Sequence, residues 1–209
     1  MRSMEPLTCL TDSSALLVGD TSTLINLIAT ESAPAILHAL PNRIVVTDAV
    51  PGELEIGRRR GRLDADHFNG LVTAGFVEIV QLGDVAAGYF EELVVGPAVA
   101  TLDDGEAATI AYAAEHGAIA VLDERKATRI CGERFPALLV GCTVDILAHP
   151  EVGRRLGATA LANAVFNALQ EGRMHVLQVH LEWVVELIGQ ERAARCQSLP
   201  RLVRQSCKR

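Results

Sequence analysis

Four carboxylates stand where the hydrophobic pattern puts them beside the ends of buried strands: Asp20 in LLVGDTSTLINL, Glu53 in VPGELE, Glu106 in LDDGEAATIAYA and Asp123 in AVLDERKATRI. Acids gathered around a cleft suit hard cations such as Mg2+, which take oxygen ligands and keep several waters. A cation so held generates a nucleophile from water and clamps a phosphate oxygen. Taken singly, each acid has a plainer role. Asp20 and Asp123 are placed to cap helices, Asp103 and Glu106 match the two acidic positions of a capping box, and Glu53, with Glu55 two residues on, reads as a surface acid. What favours metal chemistry is the concurrence of all four beside strand ends.

The elements that must position them follow from periodicity. Short apolar runs at 16–19, 43–47 (RIVVT), 76–82 (FVEIVQL), 118–122 (AIAVL) and 137–141 (ALLVG) predict five strands, with the sheet edge near FVEIVQL. Helical spacing of apolar residues fills the gaps. Pro51 suits the first turn of one helix, with Thr47 or Asp48 as its cap, and Gly117 stops another whose start is Asp103. Helix and strand alternate from residue 16 to about 148, which predicts a mostly parallel sheet covered on both faces. Right-handed crossovers bring its strand ends to one rim, where ligands of open α/β sheets sit. The stretch Gly83–Val99, with its small residues and Gly-Pro pair, reads as an insertion or flexible loop. Beyond Pro150, helices over about 154–170 and 181–194 form an appendix. The expected organisation is a loose leader (1–15), a catalytic α/β domain (16–150) and a helical extension with a basic tail (151–209).

The chain has 209 residues, 49% of them hydrophobic, enough for one substantial core. Cys9, Cys131, Cys142, Cys196 and Cys207 are odd in number and contain no CxxC pair, which argues against a disulfide framework or a zinc site. No apolar run is long enough for a membrane span, and the start lacks the apolar block of a secretory signal, so a cytoplasmic protein is expected. The net charge of −7 conceals an asymmetry. From Arg192 onward there are six basic residues and no acid, and removing those six positive charges leaves −13 on the rest. The body is a poor non-specific partner for nucleic acid but a good one for divalent cations. The tail residues Arg192, Arg195, Arg201, Arg204, Lys208 and Arg209 suit a phosphate backbone, an acidic partner, or plain solvation.

DTSTLINL, VPGELE, LDDGEAATIAYA and AVLDERKATRI, in this order and spacing, resemble the signatures of the PIN-domain nucleases, in particular the branch with GEA and DERKAR motifs. The resemblance covers residues 16 to 148. It implies a three-layer α/β/α sandwich around a mostly parallel five-stranded sheet, and Mg2+- or Mn2+-dependent cleavage of RNA to 5′-phosphate and 3′-hydroxyl ends. It also implies a toxin of the VapC type with a small antitoxin as partner, and a homodimer is a further expected assembly. Carried over residue by residue, Asp20, Glu53, Glu106 and Asp123 match the acidic quartet, with Asp20, Glu106 and Asp123 as metal ligands. Ser22 matches the small hydroxyl residue after the first acid and Thr143 the polar residue after the last strand; both orient water or phosphate, or cap helices. Asp104 and Glu124, beside matched positions, are substitute ligands. Arg58, Arg59, Arg125 and Lys126 are candidate RNA contacts, whereas Arg129 suits an internal ion pair.

Two other readings compete. An aspartyl-nucleophile phosphatase wants a second Asp two residues after Asp20, and Ser22 stands there. A catalytically inactive interaction module on the same scaffold keeps the acids without the reaction. The six histidines share no motif, and Trp183 belongs to core or interface on the appended helix.

Overall fold

Five short apolar runs pair side by side. They are β1 (Leu17–Gly19), β2 (Ile44–Thr47), β3 (Glu78–Val80), β4 (Ile119–Val121) and β5 (Val140–Gly141). In the computed structural model, which describes residues 8–206, all neighbouring strands are parallel and the order is β3-β2-β1-β4-β5. β1, β2 and β4 are buried along their whole length, as interior strands of a parallel sheet must be. β3 exposes Glu78 and Ile79, which agrees with the edge expected at FVEIVQL.

The helices are α1 (Thr21–Ala29), α2 (Ala33–Ala39), α3 (Ala49–Arg58), α4 (Asp64–Thr73), α5 (Asp84–Val94), α6 (Asp104–His116), α7 (Arg125–Arg134), α8 (Thr143–Leu147), α9 (Pro150–Leu156), α10 (Ala158–Gln170), α11 (Leu181–Ile188), α12 (Gln190–Arg195) and α13 (Arg201–Ser206). The chain divides into two compact units. One comprises Asp12–Leu24 and Asn42–Cys142, and the other comprises Ile25–Pro41 with the described parts of Met1–Thr11 and Thr143–Arg209.

The first unit holds the whole sheet and α3 to α7. Its chain moves outward from β1 to β2 and β3, then returns past them to β4 and β5. Right-handed crossovers therefore put α3 and α4 on one face and α5, α6 and α7 on the other, giving the α/β/α layering of the expected fold. On the second face, Val18, Val45, Ala120 and Leu122 of the sheet region pack with Leu93 of α5, Ala107 and Ile110 of α6 and Ile130 of α7. α6 is buried from Gly105 through Ala111. Its small side chains let its backbone lie close to the strands.

Two expectations need correction here. Gly83–Val99 is not a loop: α5 occupies most of it and buries Ala86 and Leu93. Ala86, Phe90 and Leu93 make a helical stripe that the intervening small residues obscure. The irregular residues after α5 are tied down, because Arg129 donates to the Val99 carbonyl (3.1 Å) and Arg134 to those of Glu92 and Ala100. The second correction concerns ALLVG, of which only Val140 and Gly141 form strand, while Leu139 is 63% exposed.

The second unit is helical. The two long helices expected after Pro150 are each split by a glycine. Gly157 (φ 76, ψ 162) separates α9 from α10, and Gly189 (φ 83, ψ 153) separates α11 from α12. These dihedrals lie in a region essentially reserved for glycine. Apolar periodicity continues across both breaks, so the turns escape a reading based on spacing alone. His149 and His180 are buried, and the Nδ1 of His149 accepts the Glu151 N–H at the start of α9. His180 lies 3.5 Å from the Asp145 carboxylate. Arg201 and Arg204 of the basic tail fall in α13, whereas Lys208, Arg209, Cys207 and residues 1–7 lie outside the described residues. None of the four described cysteines forms a disulfide. Among the described residues no helix is long and apolar enough to cross a membrane.

Gly157→Ala forces an L-residue into this region and is expected to cost about 1–3 kcal/mol, lowering Tm by about 2–4 °C for each kcal/mol. Gly132→Ala, inside α7 with open space around the new Cβ, should raise stability by roughly 0.5–1 kcal/mol. Thermal denaturation of the two variants checks the contrast.

Candidate metal centre

β1 and β4 are neighbours in register, with Gly19 opposite Val121. Asp20 and Asp123 therefore emerge together from adjacent carboxyl ends, at the point where one strand's connection leads towards β2 and the other's towards β5. That switch point is where an open parallel sheet leaves a crevice. The Asp20 N–H still reaches the Val121 carbonyl at 3.4 Å, and Thr23 Oγ1 donates to the same oxygen at 3.0 Å. These bonds hold the start of α1 against the end of β4.

Asp20 serves two roles at once. Its Oδ1 accepts the Thr23 N–H at 2.7 Å, which caps α1, and the Ser22 hydroxyl donates to the same carboxylate at 2.8–3.0 Å. The capping role and the metal-ligand role are thus compatible, since a carboxylate has lone pairs to spare. Ser22 spends its proton on Asp20, so its visible part is to orient that carboxylate.

α6 brings the third acid. Asp103 caps it by accepting the Glu106 N–H at 2.9 Å, as expected for a capping box. The Glu106 side chain, however, hydrogen-bonds to Glu124, just before α7. Glu124 was expected only as a substitute ligand; here its side chain is the hydrogen-bond partner of Glu106. Asp104 is exposed on the first turn of α6.

Asp20, Glu106 and Asp123 are only 3%, 6% and 4% exposed. Burial of this kind is costly for ionised carboxylates. Asp20 is accordingly raised to about 7, by desolvation first and by the charge of Asp123 next. Glu106 is raised to about 9 by desolvation, by its hydrogen bond to Glu124, and by the nearby charges of Asp103, Glu124 and Asp20. An all-oxygen donor set of buried, mutually repelling acids fits a hard divalent cation.

Glu53 is placed differently from a free ligand. Its Oε1 accepts the Gly105 N–H of α6 at 2.9 Å, and its Oε2 accepts the hydroxyl of Thr21, the residue after Asp20. The carboxylate thus bridges the starts of α1, which Asp20 caps, and α6, whose first turn carries Glu106. Gly105 makes this possible, because a Cβ there would lie 2.6 Å from Glu53 Oε1. Thr21 and Gly105 are functional positions that the reading of acids alone passes over. Their signals were the three consecutive hydroxyl residues of DTST and the glycine beside Glu106.

Thr143 opens α8 and is fully buried. Arg58 lies exposed between Glu55 (3.5 Å) and Asp66 (3.6 Å), and Arg59 is exposed beside it. Arg125 and Lys126 form the first turn of α7, directly after Glu124. Arg129 forms the ion pair expected of it, with Glu133 at 2.9 Å.

A family model described as PIN domain matches residues 16–190. The chain belongs to the PIN-domain family. Searches of curated proteins and of solved structures give no significant match. PIN domains are in general nucleases, and in general they use divalent metals. The five-stranded parallel sheet of this PIN domain and the acids at its switch point agree with that membership.

The raised carboxyls set the pH dependence of the metal-free protein. Both bind their proton more tightly folded than unfolded, so stability is full at acid pH. For both groups the loss begins as pH rises past the ordinary carboxyl values of 3.8 and 4.5, and it is complete by about 7 for Asp20 and by about 9 for Glu106. Thermal melts in EDTA should show Tm falling across this window. Asp20→Asn, which keeps a capping side chain, should flatten the lower part of the fall and raise Tm at pH 8 by about 3 °C or more.

Gly105→Ala should cost about 1–3 kcal/mol by driving Glu53 off the helix start and leaving buried groups unpaired. In a Glu53→Ala background the same change should cost at least about 1 kcal/mol less, and urea titration of the double-mutant cycle measures the coupling.

Proposed function

We propose that this PIN domain is a Mg2+- or Mn2+-dependent endoribonuclease, a hydrolase that cuts RNA phosphodiester bonds to leave 5′-phosphate and 3′-hydroxyl ends. The observation that carries the reading is the pairing of β1 with β4, which seats Asp20 beside Asp123 with Glu106 buried nearby. Asp20, Glu106 and Asp123 are the residues to hold the cation, and Glu124 joins them through Glu106. When bound, the cation supplies positive charge to polarise the scissile phosphate and to activate water.

The chain's own residues do the positioning. Ser22 and the Thr23 N–H fix the Asp20 carboxylate, so it meets a ligand without rearranging. Glu53 acts through the helix starts it joins, and is a positioning residue in this reading. Glu106, raised to about 9, holds its proton at neutral pH and would release it on taking up a cation. Arg125 and Lys126 stand at the amino end of α7, next in sequence to the acids, where phosphates of the RNA are to be held. Arg58 and Arg59 extend that role along α3. Thr143 has the part of a water- or phosphate-orienting residue. In the cell the chain is assigned to the cytoplasm, as the toxin of a toxin–antitoxin pair whose antitoxin silences the acidic site, and as a homodimer.

Purified protein should bind Mn2+ by calorimetry and cleave single-stranded RNA, and Asp20→Asn should lower cleavage by at least about a hundredfold while leaving the protein folded. Absence of Mn2+ binding together with unchanged cleavage by Asp20→Asn refutes the reading. Growth inhibition on expression, relieved by co-expression of a neighbouring small reading frame, tests the toxin assignment.

A further inference from the structure

The second unit contains a cavity of about 590 Å3 that the acidic centre does not use. Its polar lining comes from Gln170, Arg173, His175, Arg195, Gln197 and Ser198, with no acid among the lining residues. The volume suits a nucleotide-sized ligand. Two guanidiniums, a histidine and two amides are donors of the kind that recognise phosphate oxygens, and the guanidinium fork matches that geometry best.

Three features show that these cations are arranged rather than scattered. Neither Arg173 nor Arg195 has an acidic partner among the described residues. Arg195 lies over the Phe166 ring at 5.9 Å, beside Arg192 at 5.1 Å, so its guanidinium is steadied by an aromatic face instead of a carboxylate. Arg173 sits at φ 55, one of two non-glycine residues with positive φ among the described residues. An L-side chain there is disfavoured, and glycine would relieve it. An arginine kept in a strained turn at the mouth of a cavity has its side chain as the reason.

We infer that this cavity binds a backbone phosphate of the RNA, forming a second anchoring point separate in sequence from the acids. The assignment rests on the ribonuclease reading for the identity of the ligand, and on the cavity alone for its chemistry. Ser198 is committed through its own donation to the Leu169 carbonyl at 3.1 Å, so it accepts rather than donates towards a ligand. The arginines, His175 and the two glutamines are the contacts to phosphate and ribose.

Fluorescence anisotropy of the full chain with a labelled single-stranded RNA in EDTA separates binding from cleavage. Arg173→Gly removes the charge and relieves the strained turn, so its Tm should equal or exceed that of the parent. Its RNA affinity should fall about tenfold, with the salt slope reduced by about one. Arg195→Gln should weaken binding similarly, and neither change should alter Mn2+ affinity. Unchanged RNA affinity and salt slope in both variants overturn the inference. Inorganic phosphate or a nucleoside monophosphate bound in a manner lost in Arg173→Gly, with RNA affinity intact, also overturns it in favour of a small phosphorylated ligand. Failure of the ribonuclease reading shows separately, as no RNA cleavage with Mn2+ by the unmodified chain.

Discussion

The parallel pairing of β1 with β4 is the constraint on which the site depends. Asp20 and Asp123 are 103 residues apart in the chain, and each follows a strand too short to hold a geometry by itself. Joined in register, the strands deliver both acids to one crevice, and the Thr23 hydroxyl and Asp20 amide lock the exit from β1 onto the end of β4. Every other part of the centre is then aimed at a fixed target. α6 lies across β1, β2 and β4 on small side chains, and that close approach carries Glu106 inward.

A folded chain that gathers carboxylates out of water works against its own stability. The raised carboxyls of Asp20 and Glu106 are the mark of that conflict, and Glu124 adds to it at Glu106 through its hydrogen bond and its charge. Functional centres are where local rules are broken and the rest of the structure must compensate. Here the compensation is visible in the helix starts. Asp20, Asp103 and Glu53 each satisfy backbone or hydroxyl donors around α1 and α6, so the same residue class that strains the centre also builds its frame.

Much of this was legible beforehand for a local reason. Asp103 as a cap, Gly117 as a stop and the run of five strands are written in short stretches of sequence, because capping and pleating involve neighbours. The edge position of FVEIVQL was equally plain from its polar alternation. α5 was hidden because small residues dilute its apolar stripe, and the breaks at Gly157 and Gly189 were hidden because periodicity runs on through them. The placing of Glu53 was the larger surprise. Its spacing after VP identified it as one of a quartet, but its carboxylate spends both oxygens on Thr21 and Gly105.

By itself, then, the sequence determined which segments become strands and helices, which acids begin the helices, and that hard-cation chemistry suits them. The tertiary structure alone decided the strand order that makes β1 and β4 neighbours, the bridge from Glu53 to Gly105, and the contact of Glu106 with Glu124. The physical reason is range. Caps and periodicities are set by residues a few positions apart, whereas desolvation and carboxylate coupling arise only between groups that folding brings together from distant parts of the chain.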